Sequence, residues 1–310
     1  MESAAPVIGL LVMAYGGPGS LDEVEPYLLD VRGHRPTSQE IIDEVRERYR
    51  QIGGRSPILE RTRDQAQALE AALNAGGGRF EAFVGMRHWR PFIGDTLAEM
   101  SAAGIEKAVG LVMAPHYSRL SIEAYFAKVG ESGSGVEIAP IQRWNLLPGY
   151  LDALAGRVRA ALERFPAEAR AGVPVIFTAH SLPERILEWD DPYPGELKAT
   201  VAELAQRLDS NPCEFAYQSA AISSDPWLGP DAGEAIRRLA SEGHKNVLVA
   251  PVGFVSEHVE VLYDVDIVYK RQAASLGMRL ERIEMLNTSP QMIGGLAGLV
   301  RKVAKEKNWL

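Results

Sequence analysis

The stretch VLVAPVGFVSEHVEVLYDVDIVYK, residues 247–270, joins a buried strand to a row of carboxylates. Its first nine residues are apolar apart from one proline and one glycine, which is typical of a strand in the interior of a sheet. Glu257, Glu260 and Asp264 follow at spacings of three and four, so on a helix they share one face. Ligands bind where the strands of parallel α/β sheets end. The stretch therefore predicts a functional site or, as for most charge runs, a solvated helix face.

Composition limits the classes of protein to which the chain can belong. Its 310 residues are 46% hydrophobic and 24% charged, which is ordinary for a soluble protein of one large or two average domains. No apolar run reaches the roughly 20 residues of a membrane-spanning helix, and the N-terminal segment has an acidic residue where a signal peptide has basic ones. We therefore expect a cytoplasmic protein with no transmembrane segment.

Net charge and cysteine content exclude further functions. The net charge of −8 argues against nucleic-acid binding, which needs a basic surface. The single cysteine, Cys213, excludes an intrachain disulfide. It also excludes an iron–sulfur cluster held by about four thiolates of this chain.

Apolar runs alternate with amphipathic segments along the chain. The patterns predict strands at residues 7–14, 80–86, 108–114, 136–139, 173–179, 214–218, 247–255 and 280–285. They predict helices at residues 21–29, 63–75, 91–103, 122–129, 150–165, 197–208, 233–242 and 291–307. Ser20 is the expected cap of the first helix, and the capping-box spacing of Ser181 and Glu184 predicts a helix directly after His180.

The two halves of the chain look like copies of one unit. Residues 83–115 and 215–251 both run through a strand, a proline-containing loop, a helix and an apolar strand that ends in Ala-Pro. This repeat predicts an α/β fold of two similar doubly wound domains with parallel sheets facing a central cleft. We place the domains at residues 1–147 and 148–310, with the option that the final helix packs back on the first domain.

Three strand ends carry residues that are unusual after an apolar run: Tyr15, His180 and Glu260. If all three lie at the carboxyl ends of parallel strands, they can converge on one cleft. A neutral imidazole beside a carboxylate can bind Fe²⁺ or Zn²⁺, and it can also accept a proton. A packing role for His180 is the alternative, and His116 is placed equally well to compete as the ligand.

The segment from residue 32 to residue 63 is a basic region within an acidic protein. It holds eight arginines, no lysine and five acidic residues. The forked guanidinium group is suited to binding carboxylates, so the segment favours an anionic ligand. The alternative is a solvated helix with internal salt bridges, which Glu44 and Glu47 beside Arg48 and Arg50 would form.

Six segments resemble signature segments of the ferrochelatase family, in the same order: LLVMAYGGP, YRQIGGRSP, TAHSLPE, DPYP, DPWLGPD and PVGFVSEHVEVLYDVD. They extend over residues 10–266 and so cover most of the chain. The resemblance implies two flavodoxin-like domains, as in chelatases, and a lyase that inserts Fe²⁺ into a porphyrin in haem biosynthesis. It implies no permanently bound cofactor, since Fe²⁺ is a substrate, and no iron–sulfur cluster.

The resemblance also implies the roles of individual residues. His180 matches the metal-binding histidine and Glu260 its partnered glutamate, and the same pair would be catalytic. Tyr15 follows Met-Ala as in bacterial members that act on coproporphyrin III, where this tyrosine can ligate iron in the product. Further positions match the porphyrin contacts of that branch: Arg32, Arg48, Tyr49, Ser56 and Tyr125.

The implied partners are coproporphyrin III, whose four propionates would meet the arginine-rich segment, and Fe²⁺. We expect a monomer, and whether a downstream coproheme decarboxylase docks on it stays open. The family pattern is not complete, because Val268 stands where a further acid would follow Asp264, so a second metal site there stays open. Alternative functions are a protoporphyrin IX ferrochelatase, a cobalt or nickel chelatase, and a bilobal haem-binding or porphyrin-binding protein without turnover.

Overall fold

In a computed structural model of the protein, the structure describes residues 6–75, 77–208, 211–220 and 225–310. The strands are β1 (Ile8–Ala14), β2 (Phe80–Met86), β3 (Lys107–Val112), β4 (Glu137–Ile141), β5 (Val175–His180), β6 (Cys213–Gln218), β7 (Asn246–Pro251) and β8 (Arg279–Arg282). The α-helices are α1 (Val24–Val31), α2 (Gln39–Gln51), α3 (Ile58–Asn74), α4 (Ile93–Ala102), α5 (Ala124–Glu131), α6 (Pro148–Leu162), α7 (Tyr193–Gln206), α8 (Ala232–Ser241), α9 (Lys270–Ser275) and α10 (Pro290–Glu306).

The strands form two four-stranded sheets with the same topology. Their orders are β2-β1-β3-β4 and β6-β5-β7-β8, and every neighbouring pair is parallel. The central strands are apolar along their whole length because helices cover both faces of such sheets; all seven residues of β1 are buried. The predicted α/β fold of two similar doubly wound halves is thereby confirmed.

The chain divides into two compact units. The first comprises Met1–Gly149 together with Asn287–Leu310, and the second comprises Tyr150–Leu286. Helix α10 belongs to the first unit, where the guanidinium of Arg301 donates hydrogen bonds to the carbonyl oxygens of Ala72 and Leu73 at 2.8 Å each. These carbonyls lie in the last turn of α3, where helical carbonyl groups lack partners within the helix.

Neither predicted capping serine makes a capping hydrogen bond through its side chain. Ser20 makes no capping hydrogen bond, and a 3₁₀ turn over Leu21–Glu23 leads into α1. The hydroxyl of Ser181 donates to the carbonyl oxygen of Leu228 at 2.8 Å, and a 3₁₀ helix over Glu184–Trp189 follows. Ser181 is buried, so its hydroxyl bonds to the nearest interior acceptor rather than to a helix terminus.

Close packing between β1 and its neighbours can be tested at Gly9. A Cβ atom there would lie 2.7 Å from Cε of Met100 and 2.8 Å from Cβ of Ala108. We expect Gly9→Ala to lower the free energy of unfolding by about 1–3 kcal/mol because the strand and helix must move apart. Gly298→Ala, in α10 of the same unit, is the control. Its Cβ would meet no described atom within 4 Å.

Urea titration of both variants measures the effect. The control should gain up to about 1 kcal/mol from the better helix propensity of alanine. Equal stability of Gly9→Ala and the parent protein would contradict the packing described for β1.

Candidate functional site

His180 is the last residue of β5, as predicted. Its Nδ1 atom is hydrogen bonded to the carbonyl oxygen of Ser181. A carbonyl oxygen only accepts, so Nδ1 carries the hydrogen and Nε2 is directed elsewhere. Nε2 lies 3.3 Å from Oε1 of Glu260, and the two side chains are 31% and 30% exposed. The strand end therefore presents an imidazole–carboxylate pair that solvent and ligands can reach.

Glu260 does not lie at a strand end, and that prediction is wrong. Strand β7 ends at Pro251, and Glu260 is the first residue of a π-helix over Glu260–Tyr269. The loop between them passes directly over β5, where a Cβ on Gly253 would come within 2.6 Å of Cβ of Ala179. Glycine is needed at this crossing because a side chain would push the loop off the strand. The crossing lets the chain return Glu260 to His180.

The acidic residues share a face only in part. Glu257 precedes the π-helix, so its predicted place on the carboxylate face is wrong. In a π-helix the hydrogen bonds run between residues five apart, which widens each turn and keeps residues four or five apart on one side. The carboxylate of Asp264 accepts a hydrogen bond from the hydroxyl of Ser219, and its negative charge acts on His180.

His258 is a site residue that the sequence analysis missed. Its Nδ1 atom lies 3.0 Å from the carbonyl oxygen of Ser256, and its Nε2 atom lies 3.2 Å from Oε2 of Glu260. Glu260 is therefore held between two imidazoles, one at each carboxylate oxygen. A spacing of two residues would separate His258 from Glu260 on a helix. The two side chains can meet because His258 lies before the helix, which begins only at Glu260.

In this cluster, charge pairing shifts the pKa values more than burial does. Burial alone would lower the pKa of His180, but the charge and hydrogen bond of Glu260, the Ser181 carbonyl and the charge of Asp264 raise it to about 9. Burial would raise the pKa of Glu260, but His180 and His258 bring it well below its usual range. Near neutral pH the pair is thus an imidazolium beside a carboxylate.

Tyr15 is in the first unit, directly after β1. Its ring lies 4.6 Å from the imidazole of His88, measured between ring centroids, and it is 38% exposed. The guanidinium of Arg87 lies 6.0 Å from the ring centroid of Tyr15 and 5.5 Å from that of Tyr125. A cation at this distance can interact favourably with an aromatic ring. Tyr15 and Tyr125 are therefore linked through Arg87.

Two further predicted contact residues border the glycine turn after Tyr15. A Cβ on Gly17 would lie 2.5 Å from Oγ of Ser56 and 3.5 Å from the hydroxyl of Tyr49. Only glycine allows this approach, which joins the GGP and GGRSP segments. Tyr49 and Tyr125 are buried, at 2% and 4% exposure, so their rings belong to the interior of the unit.

The arginines lie nearer the surface. Arg32 is exposed at the end of α1, while Arg48 is half-buried in α2 and pairs with Glu44. Arg50 pairs with Glu47 on the same helix, as the salt-bridged alternative predicted, and Arg46 pairs with Asp43. Such exposed pairs are weak, about 0.3–0.5 kcal/mol each, so they exchange readily for an anionic ligand.

The competing histidine, His116, is buried in the first unit at 2% exposure, and burial lowers its pKa to about 3. Within the described ranges, no three or more His, Cys, Asp and Glu side chains are arranged to hold a metal ion by themselves. In the same part of the chain, no helix is both long enough and apolar enough to cross a bilayer.

Comparison with solved structures defines the class of fold. SirB from Bacillus subtilis with Fe³⁺ matches with a TM-score of 0.61 at 9% identity, and the match covers 97% of each chain. CbiX, described as the terminal enzyme for biosynthesis of siroheme in denitrifying bacteria, matches with a TM-score of 0.55 at 13% identity. That match covers 95% of this chain and 98% of the other. The chain has the α/β fold of chelatases.

Comparison of sequences then gives the family. The family model described as Ferrochelatase matches residues 7–304. A protein named Ferrochelatase from Deinococcus radiodurans is 44% identical over 96% of both chains. One named Coproporphyrin III ferrochelatase from Geobacillus kaustophilus is 41% identical over 95% of both. The chain belongs to the ferrochelatase family, and the resemblance found in the sequence is confirmed.

The coupling of His180 to Glu260 can be tested by titration. Proton-detected NMR of the metal-free protein should give His180 a midpoint near pH 9, against 6.5 for a free histidine. Glu260→Gln should lower the midpoint by at least about two pH units, because burial then dominates. Glu284→Gln, which removes an exposed carboxylate paired with Arg157 in the same unit, is the control.

The direction of the His180 pKa shift also determines how the stability of the fold depends on pH. The pKa of His180 is higher in the folded protein than in the unfolded chain. The stabilisation from its ion pair with Glu260 is therefore complete below pH 6.5 and is lost as pH rises through 9. A His180 midpoint near 6.5 in the parent protein would contradict the ion pair.

Proposed function

We propose that the protein inserts Fe²⁺ into coproporphyrin III to form coproheme, with His180 and Glu260 as the metal-binding and proton-accepting pair. The observation that carries the proposal is the direction of His180 Nε2 toward the Glu260 carboxylate, 3.3 Å away at the end of β5. Imidazole nitrogen and carboxylate oxygen are both ligands that Fe²⁺ accepts.

The same two groups suit the proton balance of the reaction. As Fe²⁺ enters the macrocycle, both pyrrole N–H bonds break and two protons leave. Near neutral pH Nε2 of His180 already carries a proton, which it must first release to solvent. The unprotonated Nε2 and the Glu260 carboxylate can then each accept one pyrrole proton and pass it to solvent, because both side chains are about one-third exposed. A metal binds imidazole only in its unprotonated form, so arrival of Fe²⁺ displaces the proton that the pair holds.

Several observations support coproporphyrin III as the porphyrin. Tyr15 follows Met-Ala, as in family members that act on this substrate, and relatives with that activity in their names are up to 41% identical. Residues 32–63 carry an excess of three positive charges within a protein of net charge −8. Arg32 and Arg48 would meet propionates, while Tyr15 would face the iron. Ser56 would add a further porphyrin contact, while the buried rings of Tyr49 and Tyr125 would support Gly17 and Arg87 from the interior.

His180→Ala should abolish iron insertion, reducing kcat by at least about a hundredfold because the variant loses both a metal ligand and a proton acceptor. Porphyrin binding, measured by fluorescence quenching, should stay within about twofold. The matched control is His244→Ala. His244 is in the same unit but just before β7, at the opposite end of the sheet from the carboxyl end of β5. Turnover by His180→Ala at the parent rate would exclude the proposed role.

A comparison of substrates tests the choice of porphyrin. We expect kcat/KM for coproporphyrin III to exceed that for protoporphyrin IX, which carries two propionates rather than four. Arg48→Leu should reduce kcat/KM for coproporphyrin by about tenfold, since a hydrogen bond to a charged group contributes about 1.5–3 kcal/mol. Arg55→Leu, an exposed arginine of the same segment that pairs with Glu60, is the control.

A higher kcat/KM for protoporphyrin IX would instead identify the protein as a protoporphyrin IX ferrochelatase. Faster insertion of cobalt or nickel than of iron would replace the metal. Stoichiometric binding of porphyrin without product, in the presence of Fe²⁺ and reductant, would favour the non-catalytic alternative.

A further inference from the structure

We propose that Gln218 is a positioning residue that sets the separation of His180 and Glu260. The inference rests on the proposed function, because it concerns how that pair is held. Gln218 is the last residue of β6 and lies opposite His180 in the parallel register of β5 and β6. Its side chain is completely buried.

The amide of Gln218 joins a strand to the start of the π-helix. Its Oε1 atom accepts a hydrogen bond of 2.6 Å from the hydroxyl of Thr178, which is also completely buried. Its Nε2 atom donates to the backbone carbonyl oxygen of Glu260 at 2.9 Å. Because a carbonyl only accepts, this contact fixes which end of the amide faces the helix. The start of the helix is thereby tied to the interior of β5.

The backbone of Gln218 holds the other member of the pair. Its carbonyl oxygen accepts a hydrogen bond of 2.8 Å from the backbone N–H of Ser181. The carbonyl of Ser181 is in turn the partner of His180 Nδ1, which sets the direction of Nε2. One residue therefore holds both members of the pair: its main chain binds the peptide that orients the imidazole, and its side chain binds the backbone of Glu260.

The same amide is also connected to Asp264 through Ser219. Nε2 also lies 3.3 Å from the hydroxyl oxygen of Ser219, and that hydroxyl donates to Asp264. The hydrogen bonds run in one direction, from Thr178 through Gln218 and Ser219 to the carboxylate. A buried position that needs a donor and an acceptor at once suits glutamine, whereas an apolar side chain of similar size would leave Thr178 and the Glu260 carbonyl unsatisfied.

Gln218→Met tests the proposal, because methionine fills similar space without the amide. Zn²⁺, which does not oxidise, is the probe, and isothermal calorimetry on the full chain measures its affinity. His180→Ala identifies the binding signal of the pair. We expect Gln218→Met to weaken Zn²⁺ binding by about 10–100-fold, as for other groups that orient metal ligands, and to leave the Kd for porphyrin unchanged.

Three further variants separate positioning from simple loss of a buried hydrogen bond. Thr178→Val removes the hydroxyl that holds the amide and should weaken Zn²⁺ binding, whereas Thr178→Ser keeps the hydroxyl and should restore it. Thr200→Val is the control. Thr200 is a completely buried threonine of the same unit, and its hydroxyl donates to the Glu196 carbonyl at 3.1 Å within α7.

Parental Zn²⁺ affinity in folded Gln218→Met overturns the proposal, and so does equal weakening by Thr178→Val and Thr178→Ser. If Gln218→Met does not fold, the two Thr178 variants decide the outcome. Turnover of the parent protein is a separate measurement. A parent protein that binds Zn²⁺ at His180 but never inserts iron would refute the proposed function and leave the role of Gln218 intact.

Discussion

The ion pair between His180 and Glu260 is the interaction on which the geometry of the candidate site depends. Eighty residues separate its members along the chain, so their contact depends on the sheet. Desolvation opposes both charges, and the pair persists because each partner offsets the loss of water for the other. Gly253, which lets the loop cross β5, and Gln218, which ties the π-helix to β6, both help to set the distance between His180 and Glu260.

The repeated topology places one predicted site residue of each unit at an equivalent position. Strands β1 and β5 occupy the same position in their sheet orders. Tyr15 follows the first of them and His180 ends the second. In the first unit, glycine again makes the turn possible, since Gly16 has a φ of +94° and Gly17 closely approaches Ser56. A repeated backbone topology thus places a phenol and an imidazole at corresponding strand ends.

Sequence patterns predicted the fold better than the details of the site. Continuous apolar runs report burial directly, so the strands and the repeat were predictable. His180 was found because it interrupts such a run. Glu260 was assigned to a strand end because apolar residues continue beyond Pro251 into a loop that the pattern does not distinguish from a strand. His258 was missed because a spacing of two residues would place it on another helix face than Glu260, whereas the helix begins only at Glu260. Gln218 was missed because its contacts are made across the fold.

Helix α10 imposes an order on biosynthesis. It follows Tyr150–Leu286 along the chain, yet it adds the buried side chains of Met292, Leu296 and Val300 to the first unit. Tyr150–Leu286 holds the four strands β5 to β8 of its own sheet. Domains fold as units during synthesis. We therefore expect the first unit to stay incompletely covered during synthesis until α10, encoded beyond the whole second unit, can pack on it.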